Sequence, residues 1–407
     1  MTWPTAWLKR HAGCCERRVS MEAIDVIMQM VRRYDDLFDM NAMHSHAMQR
    51  RKKLIENRTG EDLSDDRGFV MAYTTMNHYL IESNKKGAFS KEASEIAGWE
   101  YNGETNIYPF YLWHTDKVSY RFDPEVEELL QQQAQSFDED MAIPAQVFQY
   151  MPHRVFFIKT RTSPLSESDR KYMKKRHKNS IMAKESEQIG FFCHYGDVYT
   201  IREGIVRKDN ERKNMEIFVL SQRKETQEVN IMPISLMFTK NDTVREILEN
   251  AVHDFFSYGD IKTAPGSMEY DAEYNLCLSI LKWAMQYVLY LCSENAEIEQ
   301  DPVNRQMYRH PTPGFVKNKP REVLLLEAGK KTGALIHAFK QKKRGNDSAG
   351  SGIPVKKSPH VRRAHWHHYW VGKMNTDQRR LVVKWVAPAY IHKELASEIR
   401  PSVGIVN

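Results

Sequence analysis

The chain has 407 residues, of which 41% are hydrophobic and 28% are charged, and its formal net charge is +6. A chain of this length and composition can bury a complete core, which excludes an intrinsically disordered protein, and no run of residues is apolar enough to span a bilayer. Two domains with a small appended module are expected.

The five cysteines are odd in number and form no CxxC pair. This pattern predicts neither a disulfide framework nor a zinc knuckle, and it favours a reducing compartment.

Residues 1–20 contain no apolar run of secretory length, so they are not expected to be a signal peptide and are predicted to be a mobile extension.

The N-terminal part, residues 21–150, is predicted to be mostly helical. Apolar residues recur at steps of three and four from Met21 to Phe38, which indicates an amphipathic helix. The aromatic segment 99–122 alternates in the manner of a β-strand and is predicted to be one. Asp123 precedes a proline and several acidic residues, a combination that predicts the start of a helix.

The next part, residues 151–340, is predicted to be an α+β core. Pro233 predicts an edge strand or a bulge, Thr243 and Glu246 form a capping box, and residues 271–298 are expected to be the most buried helix. β-branched and aromatic runs separated by polar segments indicate four antiparallel strands, at 154–160, 189–205, 214–222 and 229–238.

The predicted fold class is therefore α+β, with a mainly antiparallel sheet over about 152–238, flanked by helices, and a small C-terminal β-hairpin. The predicted organisation is a mobile extension at 1–20, a mostly helical region with an aromatic β segment at 21–150, an α+β core at 151–340, a flexible Gly/Ser/Lys-rich linker at 341–359 and a basic aromatic tail at 360–407.

The positive charge is concentrated at the C-terminal end of the chain. Residues 351–407 contain ten Lys or Arg and three Asp or Glu, a net charge of +7, so the preceding 350 residues carry a net charge of −1. A localised basic patch indicates a polyanionic partner, with nucleic acid as the first candidate.

The tail is predicted to form a β-hairpin with strands at 364–372 and 379–387. Alternation places Trp366, Trp370 and their even-numbered neighbours on one face, and the odd-numbered histidines on the other. Three interpretations stay open. The hairpin is a nucleic-acid surface, a structural element whose aromatic rings pack on the body, or a metal site built on His365 and His367.

The candidate nucleic-acid contacts are basic and aromatic side chains of the tail. They are Lys356, Lys357, Arg362, Arg363, His365, Trp366, His368, Trp370, Arg379, Arg380, Lys384 and Trp385. The sequence contains no Gly-rich phosphate loop, nucleophile elbow or HExxH motif, so no catalytic residue, resident metal or cofactor is predicted.

The tail also resembles a known family. Residues 358–392, which read SPHVRRAHWHHYWVGK…RRLVVKWVAPAYIH, resemble a C-terminal motif of the second type V-A anti-CRISPR protein family and of related plasmid and phage proteins. The resemblance implies a non-enzymatic inhibitor, encoded by a mobile element and acting in the cytoplasm of a bacterial host. It also implies recognition of the N-terminal segment of the type V-A effector nuclease during translation, and a lower amount of the effector's mRNA.

Two kinds of partner follow from this resemblance and from the charge distribution. The body would bind the nascent effector peptide, by strand addition at a sheet edge near Pro233, and the basic tail would reach the ribosome or the mRNA. Two alternatives stay open, namely a plasmid or phage nucleic-acid-binding regulator unrelated to CRISPR, and a metal-dependent nuclease that uses the tail histidines. Neither the peptide-binding residues nor the oligomeric state is predicted.

Overall fold

The computed structural model describes most of the chain. The described residues are 23–56, 73–101, 107–137, 142–176, 186–202, 205–223, 229–258, 267–300, 323–346, 361–374, 376 and 378–390. The predicted extension at 1–20 therefore lies outside them. The fold is α+β, as predicted, and seven strands form one mixed sheet.

The helices and strands are numbered here in chain order. They are α1 Ala23–Phe38, α2 Met40–Glu56, α3 Tyr73–Lys85, α4 Lys91–Tyr101, α5 Ile107–His114, β1 Val118–Phe122, α6 Pro124–Gln135, a 3-10 helix Ala145–Tyr150, β2 Val155–Lys159, α7 Glu167–Arg176, β3 Ser186–Arg202, β4 Ile205–Arg223, β5 Val229–Thr239, α8 Val244–Tyr258, α9 Met268–Cys292, β6 Ile298–Gln300, β7 Leu324–Ala328, α10 Lys330–Asn346, β8 Val361–Arg362, β9 His365–Val371, β10 Arg380–Val386 and β11 Ala389–Tyr390.

The chain divides into two compact units, each assembled from three stretches of sequence. The first unit consists of Met1–Tyr120, His153–Thr239 and Gln306–Leu325. The second unit consists of Arg121–Pro152, Lys240–Arg305 and Leu326–Asn407.

Helices α1 to α5 belong to the first unit, and the α1–α2 junction shows why the first two are separate. Asp39 takes a left-handed conformation with φ of 50°, which ends α1. The backbone N–H of Met40 donates to Asp35 Oδ1 at 2.8 Å, and that of Ala42 donates to Asp39 Oδ1 at 3.0 Å. Two aspartates thus satisfy free N–H groups at the start of α2.

The prediction of a β-strand over 99–122 is wrong for most of that segment. Residues 107–114 form α5, and only Val118–Phe122 is a strand. The residues from Ile107 to Trp113 are all buried, and a helix that is apolar all round has no alternation that would distinguish it from a strand. The indole N–H of Trp113 donates to the carbonyl of Val118 at 2.6 Å and closes the turn between helix and strand.

The first unit contains the predicted antiparallel strands, and all four are confirmed. The strand order there is β5-β4-β3-β2-β1, and the β2–β3, β3–β4 and β4–β5 pairs are antiparallel. The register of β3 against β4 shifts next to Gly190, whose φ is 145°. A Cβ at Gly190 would lie 2.1 Å from the Ile158 carbonyl oxygen, so the close approach of β2 requires glycine.

Strand β5 is the outermost strand of its sheet, as Pro233 predicted. Ile234, Leu236 and Phe238 are buried, whereas Ser235 and Met237 between them are exposed. The C-terminal half of the strand therefore has one core-facing side and one solvent-facing side.

The second unit is built around α9, the long apolar helix that the sequence predicted. Its C-terminal half is almost entirely buried, and Tyr287 packs edge-on against Phe122 with ring centroids 5.0 Å apart. The predicted capping box at α8 is confirmed, because Thr243 N donates to Glu246 Oε2 at 2.7 Å and Glu246 N donates back to Thr243 Oγ1 at 3.3 Å.

Strand β7 makes the sheet mixed. The N–H of Leu324 donates to the carbonyl of Lys117, and the N–H of Asp123 donates to the carbonyl of Ala328, both at 2.9 Å. The first bond joins the N-terminal ends of the two strands and the second joins their C-terminal ends, so β1 and β7 are parallel. Strand β6 then pairs antiparallel with β7.

Helix α10 enters the segment that was predicted to be a flexible linker. It extends to Asn346, so residues 341–346 are helical and the linker prediction is wrong for them. Lys, Gln and Arg favour helices, so the helix continues through this segment although the segment is polar. The remaining linker residues, 347–359, lie outside the described part of the chain.

The first prediction concerns Gly333, which lies in α10 against the predicted and confirmed cap of α6. Asp123 Oδ1 accepts the N–H of Glu125 at 2.9 Å, and a Cβ at position 333 would lie 1.9 Å from that same oxygen. Ala normally stabilises a helix interior by about 1 kcal/mol over Gly. Here Gly333→Ala should instead lower the free energy of unfolding by about 1–3 kcal/mol, measured by urea denaturation.

The control is the same substitution in an Asp123→Ala background. Without the carboxylate the new methyl group has space, so Gly333→Ala should become neutral or stabilising. An equal loss of stability in both backgrounds would show that the aspartate is not the obstacle.

Candidate functional site

The C-terminal hairpin has the two faces that alternation predicted. Strands β9 and β10 are antiparallel, with Trp366 opposite Trp385, Trp370 opposite Leu381, and His367 opposite Lys384. Directly opposed residues share a face of an antiparallel pair. The three tryptophans of the motif therefore lie on one face, and His367 lies on the other.

Two of these tryptophans are buried and hydrogen-bonded. Trp366 and Trp385 are each 4% exposed. Trp366 Nε1 donates to Gln286 Oε1 at 2.8 Å, and Trp385 Nε1 donates to Gln133 Oε1 at 2.9 Å. These indoles hold the hairpin on α9 and α6 and present no free stacking surface, so the structural interpretation applies to this end of the hairpin.

A short segment after α9 fixes the backbone of β10. Asn295 Nδ2 donates to the carbonyl of Trp385 at 2.8 Å, and its Oδ1 accepts the N–H of Trp385 at 3.0 Å. The N–H of Glu294 donates to the carbonyl of Val383 at 2.9 Å. The segment thereby supplies hydrogen bonds to β10 in the manner of a third strand.

Two of the candidate nucleic-acid contacts are already paired with a carboxylate. Glu294 lies 2.8 Å from Arg380 and 3.2 Å from Lys384. The Arg380 hydrogen bond holds the pKa of Glu294 below its usual value, with Lys384 acting in the same direction and partial burial opposing both. The single negative charge of Glu294 offsets one of the two positive charges, so this cluster of three side chains carries a net charge of +1.

The far end of the hairpin is exposed. Trp370 is 42% exposed, and the guanidinium carbon of Arg379 lies 4.9 Å from the centroid of its ring. Met374, in the turn, is 68% exposed. Arg363 and Lys373 are exposed as well, and neither they nor Arg379 forms an ion pair with any residue that the structure describes.

The other candidate residues differ in burial and do not lie on one face of the hairpin. His365 is half-buried and His368 is exposed, on opposite faces of β9. Arg362 belongs to β8, which pairs with β11. Lys356 and Lys357 lie outside the described residues.

The histidines do not assemble a metal centre in the described part of the hairpin. His367 packs against Tyr369 with ring centroids 5.5 Å apart. Across all described ranges, no three His, Cys, Asp or Glu side chains are grouped so as to hold one ion. A zinc-type catalytic site needs three protein ligands, so the described residues supply no basis for a metal-activated water.

Two of the described cysteines, Cys277 and Cys292, are not activated nucleophiles. Burial raises the pKa of the Cys277 thiol to about 12, and it raises that of the fully buried Cys292 as well. A thiol in this state is protonated at neutral pH and reacts poorly.

Within the same described ranges, no helix has the length and apolar character to cross a membrane.

Edge strand β5 offers a second surface, in the first unit. Pro233, opposite Phe218, has no N–H to give to β4, so this pair belongs to the non-hydrogen-bonded class of the ladder. These pairs alternate, so Ser235 and Met237 belong to the same class. Their backbone N–H and C=O groups point away from β4, toward the side of β5 on which no described strand pairs.

Sequence reasoning found the hairpin and the edge strand but missed the groups that anchor the hairpin. Gln133, Gln286 and Asn295 are distant in sequence from β9 and β10, and no local pattern connects them. One signal was present, since Gln286 interrupts the apolar centre of α9. A buried amide requires hydrogen-bond partners, and Trp366 is one of them.

The second prediction tests this anchoring. Gln286→Leu leaves the buried indole N–H of Trp366 without its acceptor, so the free energy of unfolding should fall by about 1–3 kcal/mol in urea denaturation. In a Trp366→Phe background, which has no indole N–H, the same substitution should cost clearly less. Equal costs in the two backgrounds would contradict the role given to the hydrogen bond.

Comparison with known proteins places the chain in a family. The model of the AcrVA2-like family, described as the anti-CRISPR type V subtype A2 family, matches residues 120–393. This match covers more than half of the chain and extends the resemblance from the tail into the body. No curated protein matches the chain. The chain belongs to the anti-CRISPR type V subtype A2 family.

Proposed function

We propose that this protein is a non-enzymatic inhibitor of type V-A CRISPR immunity. In this proposal it binds the N-terminal peptide of the effector nuclease as the peptide emerges during translation, and it lowers the amount of the effector's mRNA. Family membership supports an anti-CRISPR function, a CRISPR effector as partner, and an inhibitor rather than an enzyme. The observation that carries the proposal is that the family match, 120–393, includes both β5 and the hairpin.

Strand β5 is the surface that best fits an extended peptide. A nascent segment has not yet folded, so its backbone groups are free to pair with a sheet edge, and strand addition needs no preformed pocket. The outward backbone groups of Ser235 and Met237 would supply the hydrogen bonds. The exposed side chains on this strand would contribute selectivity through alternate residues of the peptide.

The hairpin is the surface that best fits RNA. The segment 361–390 contains six Lys or Arg and one Asp, and several of its cations are exposed. Cations of this kind bind phosphates with a strong dependence on salt. We assign the hairpin to contact with the mRNA or the ribosome and propose that the protein acts in the cytoplasm of the bacterial host.

A second candidate function is a nucleic-acid-binding regulator of a plasmid or phage, without a CRISPR target. The exposed cations of the hairpin favour it. The two functions differ in one binding event, since only the inhibitor has affinity for the effector's N-terminal peptide. Salt-dependent RNA or DNA binding without peptide binding would identify the regulator.

The third prediction tests the edge strand. Ser235→Pro removes an outward N–H and leaves the ladder with β4 intact, so the affinity for a synthetic effector N-terminal peptide should fall about tenfold. Ser235→Ala is the matched control, because it keeps the N–H and, like the proline variant, removes the side-chain hydrogen bond to Asn214. Isothermal titration calorimetry measures both. Unchanged affinity in a folded Ser235→Pro variant would exclude peptide pairing at this edge.

The fourth prediction separates recognition of the peptide from recognition of its codons. Synonymous recoding of the effector's first codons preserves the peptide, so the drop in effector mRNA caused by this protein should persist. Missense changes in the same codons should abolish the drop. Quantitative PCR of the effector transcript, with an unrelated transcript as reference, provides the measurement. If synonymous recoding alone abolished the effect, the nucleic acid and not the peptide would be the recognised element.

A further inference from the structure

We propose that the exposed end of the hairpin is a stacking site for one unpaired base of a single-stranded nucleic acid, with Trp370 as the platform and Arg379 as its cationic partner. This inference deepens the proposed function and rests on it only in taking RNA as the biological source of the strand.

The first observation is the unequal burial of tryptophans on one face. Trp366 and Trp385 are buried and donate to glutamine side chains, whereas Trp370 on the same face is 42% exposed. Burial of an indole contributes substantial hydrophobic stabilisation, so an exposed one next to two docked ones forgoes it. Its partner across the strands, Leu381, is fully buried, so the exposed indole lies at the border of the core.

The second observation is the position of Arg379. Its guanidinium carbon lies 4.9 Å from the centroid of the Trp370 ring, within the range of a cation–π contact. The guanidinium occupies one face of the indole, and 42% of the Trp370 surface remains exposed. Both side chains are thereby held in position before a ligand arrives, which reduces the entropy lost on binding.

The third observation is the division of charge within the hairpin. Arg380 and Lys384 share the Glu294 carboxylate, on the face opposite the tryptophans. Arg379 has no carboxylate partner within the described ranges, and Lys373 in the adjoining turn has none either. Among the described residues, no carboxylate therefore competes with a phosphate group for the cations nearest the exposed indole.

These features together favour a single strand over other ligands. In a duplex the bases stack on each other and expose no ring face, whereas an unpaired base stacks on an aromatic side chain whatever its sequence. A membrane surface is the main competitor, because Met374 is 68% exposed in the same turn. Met374 therefore serves to separate the two, since insertion into lipid would use it and base stacking would not.

The experiment measures fluorescence anisotropy of labelled oligouridine of about 12 nucleotides, of the same length of oligothymidine, and of a duplex RNA, titrated with the full chain. Trp370→Ala should weaken binding to both single strands about tenfold or more, while Trp370→Phe, which keeps a ring, should remain within about threefold of the original. Arg379→Ala should also weaken binding and should lower the slope of log affinity against log salt by about one.

Met374→Ala is the matched control for general apolar contact at the tip, and it should change affinity less than about twofold. The proposal is overturned if Trp370→Ala binds the single strands as the original does, or if Met374→Ala is equally impaired. It is also overturned if the original protein binds anionic phosphatidylglycerol vesicles through Trp370 and Met374 but not the oligonucleotides. Near-UV circular dichroism verifies that each variant is folded.

Failure of the proposed function would be recognised separately. The effector peptide is titrated against the same variants, and Trp370→Ala should leave peptide affinity unchanged because β5 is untouched. If the original protein bound no effector peptide while Trp370→Ala still lost single-strand binding, the inhibitor proposal would fail and the stacking site would stand. Separate titrations with an effector mRNA fragment and with purified ribosomal subunits distinguish the two RNA sources.

Discussion

The C-terminal part of the structure depends on two indole N–H groups that donate to two buried glutamines. A neutral amide inside an apolar helix costs free energy unless its hydrogen-bonding groups are satisfied, and Gln286 is fully buried in α9. Trp366 supplies a donor there, and Trp385 does the same for Gln133. These hydrogen bonds are directional, unlike the apolar contacts around them, so they fix which face of the hairpin packs on the helices.

That docking divides the aromatic motif into a buried half and an exposed half. One half is structural, and its tryptophans belong to the core of the second unit. The other half remains at the surface with Trp370 and Arg379. Charge divides in the same way, because Glu294 pairs with Arg380 and Lys384 while Arg379 stays unpaired within the described ranges. The net charge of +7 in residues 351–407 therefore overstates the charge that this part of the chain offers to a polyanion.

Patterns local in sequence predicted much of the fold. The four strands, the caps at Asp123 and Thr243, the edge position of β5 and the two hairpin faces all follow from alternation, turn residues and capping chemistry. Two local patterns misled, at 107–114, where a wholly apolar run fits helix and strand equally, and at 341–346, where polar residues continue a helix. The pairing of the hairpin anchors could not be predicted, because residues such as Trp385 and Gln133 meet only through tertiary packing.

Pro233 has a consequence for how the free edge of β5 treats different strands. An open sheet edge pairs readily with any other edge, including that of a second copy of the same chain, and this is a common route to aggregation. Proline leaves one rung of the edge without a donor, so a long regular strand would carry an unmatched carbonyl at its centre. A short segment that pairs on one side of the gap avoids that mismatch. If peptides bind here as proposed, the edge would favour short extended segments over the long edge strand of a second copy.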